Sequence, residues 1–256
     1  MITRRVTFLI GEDGLAAWRL AKLKTLAGYF RSVTILCNLS QRKQASVEHP
    51  MRIMSLSALP GDLCQLLIEG SDAELASMVL TNFIDEHATL ISGGKRTVSF
   101  SPTTYVSLPF AVQRHRLTNT QLDKHALLGE FALQVSKTES LSQEDIFNAM
   151  YKRESVSSTC MGHGIALPHV MLAGITQAHI LVATSSEPLD WASSRGDVTR
   201  IVGLVLPTPP IREQIVAFSC FSQQLLDDTF CEYLTENNDI DIIETIILHA
   251  LNVPFG

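Results

Sequence analysis

Seventeen consecutive residues in the second half of the chain, Arg153 to His169, hold its most chemically suggestive run: R-E-S-V-S-S-T-C-M-G-H-G-I-A-L-P-H. Gly162 and Gly164 let the backbone take φ > 0 or pass close to a ligand. Ser157, Ser158 and Thr159 offer hydroxyl donors, and Arg153 offers a planar guanidinium suited to two oxygens of an oxyanion. Ile165-Ala166-Leu167 reads as a short buried strand that delivers Pro168-His169 at its end. Proline fixes its own φ and narrows the residue before it, so the approach to the imidazole is held in one conformation. A nucleophile that meets a phosphorus centre in line needs that constraint. Neutral histidine is nucleophilic near pH 7, and its charged product is itself a leaving group. The same residues also describe a tight glycine loop beside a packed histidine, and their types alone do not separate the two readings.

Other chemistries fit less well. His163 and His169 share one stretch with no third Cys, His or carboxylate in ligand register, so no metal site is expected. No G-x-S-x-G elbow supports a serine hydrolase. His87, His115, His125, His179 and His249 fall in helix, linker or strand patterns without ligand spacing. Cys37, Cys64, Cys160, Cys220 and Cys231 are scattered and form no C-x-x-C pair; each sits among apolar neighbours, as small buried hydrophobes do.

The elements that position this run must come from a packed fold. The 256 residues are 46% apolar and 18% charged, enough for one large or two small cores and unlike a disordered chain. Twenty Lys+Arg against 26 Asp+Glu give a net charge of −6, with no basic cluster for a nucleic-acid partner. The N-terminal apolar run is too short for a signal peptide, and no run approaches the ~20 residues of a membrane span. The expectation is a cytoplasmic protein without membrane insertion.

Residues 91–117, rich in Ser, Thr, Gly and Pro, read as a linker that includes at most a short strand near Val98–Phe100 or Tyr105–Leu108. In residues 1–90, strands are expected at Val6–Ile10, Ser32–Asn38, Gln44–Glu48 and Leu63–Glu69. Leu15, Trp18, Leu23, Leu26 and Phe30 form one helical stripe. Ser71 with Glu74 suggests a capping box opening a second helix, with Leu75, Met78, Val79 and Phe83 on its buried face. That order predicts an open antiparallel sheet with helices on one side. In residues 118–254, helices near Leu122–Val135, Ser142–Lys152, Arg212–Leu226 and Asp239–Leu251 alternate with strands near Gln177–Ala183 and Val198–Leu206. The last helix buries Ile243, Ile246, Ile247, Ala250 and Leu251. The expected class is a three-layer α/β domain with a mixed sheet.

The run R-E-(x4)-T-(x2)-G-x-G-I-A-x-P-H resembles the phosphorylation-site signature of type-2 IIA domains of the bacterial phosphotransferase system, the fructose/mannitol/nitrogen class. The likeness extends over about 118–254, taking in Leu189-Asp190-Trp191 and the helix end Leu225–Asp228. It implies that His169 accepts the phosphoryl group, that Arg153 holds phosphate oxygens, and that donors near Thr159 and Gly164 assist. It implies no cofactor. Two departures stand out: His163 replaces the asparagine usual between the glycines, and Gln214 takes the place of a second histidine. His163 is either a further phosphate contact or a tolerated loop residue, whereas Gln214 can still donate a hydrogen bond to the phosphoryl group.

Residues 3–88 resemble HPr, the small phosphocarrier of the same system, in element order, in Gly14-Leu15 and in the Pro60-Gly61 turn. Where HPr has Gly-Leu-His-x-Arg-Pro, this chain has Gly14-Leu15-Ala16-Ala17-Trp18-Arg19. Ala16 fills the phosphohistidine slot and Trp18 the arginine slot, so this unit has no nucleophile; His49 lies where many HPr proteins carry a regulatory serine. Trp18 is either a protein-contact anchor or packed on its own sheet. The resemblance implies a sugar phosphotransferase carrier that receives phosphate from HPr or a relative and passes it to a IIB domain. A regulator of the nitrogen-branch type, signalling by phosphorylation-dependent protein binding, is the alternative.

Overall fold

The computed structural model describes residues 2–91 and 106–252, and the chain divides into two compact units, Met1–Tyr105 and Val106–Gly256. In the first unit the elements are β1 (Ile2–Leu9), α1 (Ala17–Ala27), β2 (Val33–Asn38), β3 (Lys43–Ser46), α2 (Pro50–Met54), β4 (Leu63–Gly70), α3 (Ala73–His87) and β5 (Thr89–Leu90). The sheet order is β3-β2-β4-β1-β5, with every pairing antiparallel. Val6, Phe8, Leu36, Cys64, Leu66 and Ile68 pack against Leu20, Leu23 and Ala27 of α1 and the buried face of α3. This is the expected open-faced architecture.

Two details of α3 differ from the sequence reading. No capping box forms at Ser71 and Glu74. The Asp72 carboxylate accepts the backbone N–H groups of Arg31 (2.8 Å) and Ser32 (2.9 Å) and the Ser32 hydroxyl, and Glu74 pairs with Arg4 at 3.1 Å. The buried face is Ala73, Ala76, Leu80, Phe83 and Ile84, while Leu75 and Met78 are exposed. Ala73 and Ala76 let the first half of the helix lie close on the sheet, with Leu75 and Met78 turned outward there. In α1, likewise, Leu20, Leu23 and Ala27 are buried and Trp18 is 57% exposed.

The second unit contains β6 (Val112–Leu117), α4 (Lys124–Ser136), α5 (Gln143–Val156), β7 (Cys160–Gly162), β8 (Ile165–Ala166) and β9 (His169–Leu172). There follow β10 (Ala178–Leu189), β11 (Val198–Pro207), α6 (Arg212–Gln224), α7 (Asp228–Thr235) and α8 (Ile240–Leu251). The strand order is β6-β10-β11-β8-β7, with β9 also on β11. The sheet is mixed: β6 is parallel to β10, β8 and β9 are parallel to β11, and β10–β11 and β7–β8 are antiparallel. Successive residues of β6 reach opposite layers. His115 meets Phe131 of α4, with ring centroids 5.8 Å apart, whereas Arg114 (3.2 Å) and Arg116 bind Glu244 of α8. Helices therefore cover both faces, as the three-layer expectation requires.

The linker reading needs correction at both ends. Ile91 is fully buried and donates its N–H to the Thr7 carbonyl at 2.8 Å, as part of the first unit. Val112–Leu117 is a strand of the second unit. Its polar composition hid it: Arg114 and Arg116 read as loop residues but are neutralised by Glu244 and Asp241. The strand candidate Val98–Phe100 lies outside the described residues; of the other, Tyr105 lies outside as well and Val106–Leu108 are not in a strand. The strands β7 and β9 and the helix α7, opened by the Asp227 carboxylate on the N–H groups of Thr229 and Phe230, went unread in the sequence.

The side chains of His179 and Glu139 are fully buried and hydrogen-bonded at 2.8 Å, and His179 in turn meets His115 at 3.0 Å. Burial, then His179 and Lys137, push His115 down to about 4. The unfolded chain therefore binds the proton more readily than the folded one between about pH 6.5 and 4, and stability falls as pH drops through that window. Thermal midpoints measured across it should decline less steeply in His115→Asn than in the wild type. A second expectation concerns Gly203 on β11, where an added Cβ would lie 2.6 Å from the Phe131 ring. Gly203→Ala should cost about 1–3 kcal/mol in denaturant unfolding, because α4 cannot retreat without opening the core.

Candidate functional site

His169 opens β9 directly after Pro168, and its place is set by β11: Leu204 pairs with His169 and donates its N–H to the Pro168 carbonyl at 2.8 Å. The imidazole is half-buried. Its Nδ1 lies 2.8 Å from the Leu167 carbonyl oxygen, which only accepts, so Nδ1 carries the proton. Nε2 then carries the lone pair, and the Arg153 guanidinium lies 3.3 Å from it. Arg153 stands in the last turn of α5, where a cation suits the helix C-terminus, and a second guanidinium nitrogen donates to the Ser157 carbonyl at 3.1 Å. An imidazole with a fixed tautomer beside an anchored guanidinium can form a bond at Nε2 while oxyanion charge is held at its side.

Among the described residues, none of the other expected residues hydrogen-bonds to that ring. Thr159 is buried, and its N–H (3.0 Å) and hydroxyl both donate to the Glu154 carboxylate, so its hydroxyl is committed inward. His163 and Gly164 occupy the turn between β7 and β8, where Gly162, His163 and Gly164 all have positive φ, at 91°, 51° and 75°. Ile165, directly after that turn, pairs with Arg200 and His169 with Leu204, which sets these two residues about 13 Å apart along the backbone. His163 Nε2 instead lies 3.2 Å from Asp228, and the Gly164 carbonyl accepts the N–H groups of Thr199 and Arg200. Gln214 is buried in the first turn of α6, and its carboxamide oxygen accepts the Ile211 N–H at 3.2 Å. It caps its own helix.

Two residues without an assigned role in the sequence reading lie beneath the site. Glu154, 4% exposed, takes Lys124 Nζ at 2.8 Å, and the same ammonium donates to the Trp191 carbonyl at 2.9 Å. Burial pushes the Glu154 carboxyl up, but the hydrogen bonds from Lys124 and Thr159 outweigh it and hold the group below its ordinary value. The only sequence signal for Glu154 was its place beside Arg153; Lys124 gave none, since the fold alone brings α4 to it.

In the first unit the start of α1 carries no nucleophile. Ala16 is its N-cap, Arg19 is held by the Gly14 carbonyl and Asp13 (both 2.9 Å), and Trp18 sets its ring edge against His87. Among the described residues there is no cluster of three or more metal-ligating side chains, and no helix is long and apolar enough to cross a membrane.

Residues 111–250 match the family model for the phosphoenolpyruvate-dependent sugar phosphotransferase system, EIIA 2, and residues 4–86 match the model for the PTS HPr component phosphorylation site. The PTS system 2-O-alpha-mannosyl-D-glycerate-specific EIIABC component of Escherichia coli is 35% identical over 97 residues, which are 37% of this chain and 14% of that protein. The chain thus spans about a seventh of that relative's length. A nitrogen regulatory protein of Bradyrhizobium diazoefficiens is 24% identical over 125 residues, 48% of this chain and 82% of the relative. The crystal structure of the nitrogen regulatory protein IIA-Ntr from Neisseria meningitidis aligns with 26% identity and a TM-score of 0.47, over 52% of this chain and 92% of that one. With more than half its length matched by the first model, the chain belongs to the EIIA type 2 family of the phosphoenolpyruvate-dependent sugar phosphotransferase system, and it carries an HPr-type unit ahead of that domain.

Proposed function

We propose that the protein is a phosphoryl carrier that takes the group on His169 Nε2 from an upstream phosphohistidine and hands it to a IIB domain. The observation that carries this reading is the paired geometry of His169: Nδ1 tied to the Leu167 carbonyl and Nε2 beside Arg153. In the transfer, the Nε2 lone pair attacks phosphorus along the axis of the donor's P–N bond. An N–P bond forms at Nε2 as the donor bond breaks, and that electron pair returns to the donor nitrogen. The Nδ1 proton stays in its hydrogen bond to Leu167. Arg153 is placed to follow the charge on the phosphoryl oxygens, so catalysis is largely positioning and charge stabilisation. Each step is an exchange between docked proteins. Val156 and Met171, close in sequence to Arg153 and His169, are 80% and 52% exposed and offer apolar area for that docking. The donor in this reading is HPr or a related phosphocarrier, and the compartment is the cytoplasm.

A regulatory reading has support of its own. The HPr-type unit carries Ala16 in place of a phosphoryl acceptor, and the chain is similar to most of the length of a nitrogen regulatory protein. In that reading phosphorylation of His169 changes which target binds, and a target should distinguish His169→Glu from His169→Ala in a pull-down.

With labelled phosphoenolpyruvate, enzyme I and HPr, the wild type should acquire acid-labile label and His169→Ala none. Label that persists in His169→Ala sinks the assignment. Arg153→Gln should lower the transfer rate by about 10²-fold in the same assay, the usual effect of removing one charge-stabilising donor.

A further inference from the structure

We infer that the buried Glu154–Thr159 pair is a positioning device that sets both the tautomer of His169 and the placement of Arg153. The inference rests on the proposed transfer at His169, and its geometry runs through two short chains of contacts that start from one carboxylate. On one side, Glu154 holds the Thr159 N–H at 3.0 Å and the Thr159 hydroxyl. The Thr159 carbonyl accepts the Leu167 N–H at 3.0 Å, and the carbonyl of that same Leu167 accepts His169 Nδ1–H at 2.8 Å. On the other side, fastening Thr159 to Glu154 ties down the chain as it leaves the end of α5, and the carbonyl of the C-cap residue Ser157 there anchors Arg153 at 3.1 Å. The nucleophile and the guanidinium are thus referred to one buried group that touches neither the phosphoryl donor nor the acceptor.

The carboxylate is well suited to this work. It is 4% exposed and ionised, and it is fixed from α4 by Lys124, whose ammonium also binds the Trp191 carbonyl and lies 5.3 Å from the Trp191 ring centre. Three elements therefore define its position, and a carboxylate with two oxygens can serve Lys124 and Thr159 together. Thr159, expected from the sequence to touch phosphate, acts in this inference through the backbone of Leu167.

The test uses the full chain. Nitrogen-15 NMR of the His169 ring reads the tautomer directly, alongside the rate of label transfer from phosphorylated HPr. Thr159→Val keeps the shape of the side chain but removes the hydroxyl, and Thr159→Ser keeps the hydroxyl. In the wild type the Nδ1–H form should dominate. Thr159→Val and Glu154→Gln should show a mixed ring population and transfer slowed by about ten- to a hundredfold, and Thr159→Ser should move both readouts back toward the wild type. Thermal midpoints identify a variant that has failed to fold, and the Thr159 pair keeps the test decisive if Glu154→Gln does. A ring population in Thr159→Val unchanged from the wild type, with transfer within twofold, overturns the inference. A tautomer shift in a protein whose wild type takes no label supports the positioning role and overturns the phosphoryl-carrier reading instead.

Discussion

The site depends on one parallel register. Ile165, Ala166, His169 and Val170 meet Arg200, Ile201, Leu204 and Val205 of β11 in unbroken step, although Leu167-Pro168 interrupts the strand. The interruption leaves the ladder in phase because Pro168 still offers its carbonyl to Leu204, and a proline has no N–H to lose. Ile165 and Ala166 are fully buried. A slip of one residue would turn them outward and send His169 to the other face of the sheet. The apolar core thus fixes where the imidazole stands, and the polar contacts only set its tautomer.

Charge inside the second unit follows a common pattern. Glu154 with Lys124, Glu244 with Arg114 and Arg116, and Glu139 with His179 each tie together elements distant in sequence. Arg200 does the same without an acid, giving its guanidinium to the carbonyls of Leu234, Thr235 and Asn237 at the end of α7. A buried pair of this kind adds modest net stability, but losing one partner strands the other at a cost of several kcal/mol. Their effect is to make alternative packings of these helices expensive, which matters where a guanidinium and an imidazole must meet within hydrogen-bond range.

The sequence made the apolar elements legible and the polar ones obscure. The strands β10 and β11 and the helix α8 announced themselves through continuous or periodic hydrophobics, and the buried face of α8 is as expected. Charges hid β6, because its arginines look solvated until their acids on α8 are placed. In α3, Leu75 and Met78 point outward while Phe83 of the same stripe is buried, because Ala73 and Ala76 take the positions against the sheet. At the site, His169 and Arg153 were readable from the motif and meet at 3.3 Å. Thr159 and Gly164 enter through the same motif and His163 as a departure from it, and the structure shows their polar groups bonded elsewhere. The Gly162-His163-Gly164 turn stands at the far end of β8 from His169, and Thr159, beside Leu167 across the β7–β8 hairpin, gives its hydroxyl to Glu154. The resemblance puts Gln214 at the position of a second histidine, and its carboxamide oxygen accepts the Ile211 N–H of its own helix.

The turn at Gly162-His163-Gly164 bears on how relatives of this chain should be compared. Its middle residue holds φ at 51°, a conformation that asparagine, aspartate, histidine and glycine tolerate and β-branched residues resist. Exchange among those four residues at that position therefore records a backbone requirement. Family membership judged by an asparagine between the glycines would set aside this chain, which matches the family model over residues 111–250. The informative positions for that judgement are the ones whose side chains meet, Arg153 and His169.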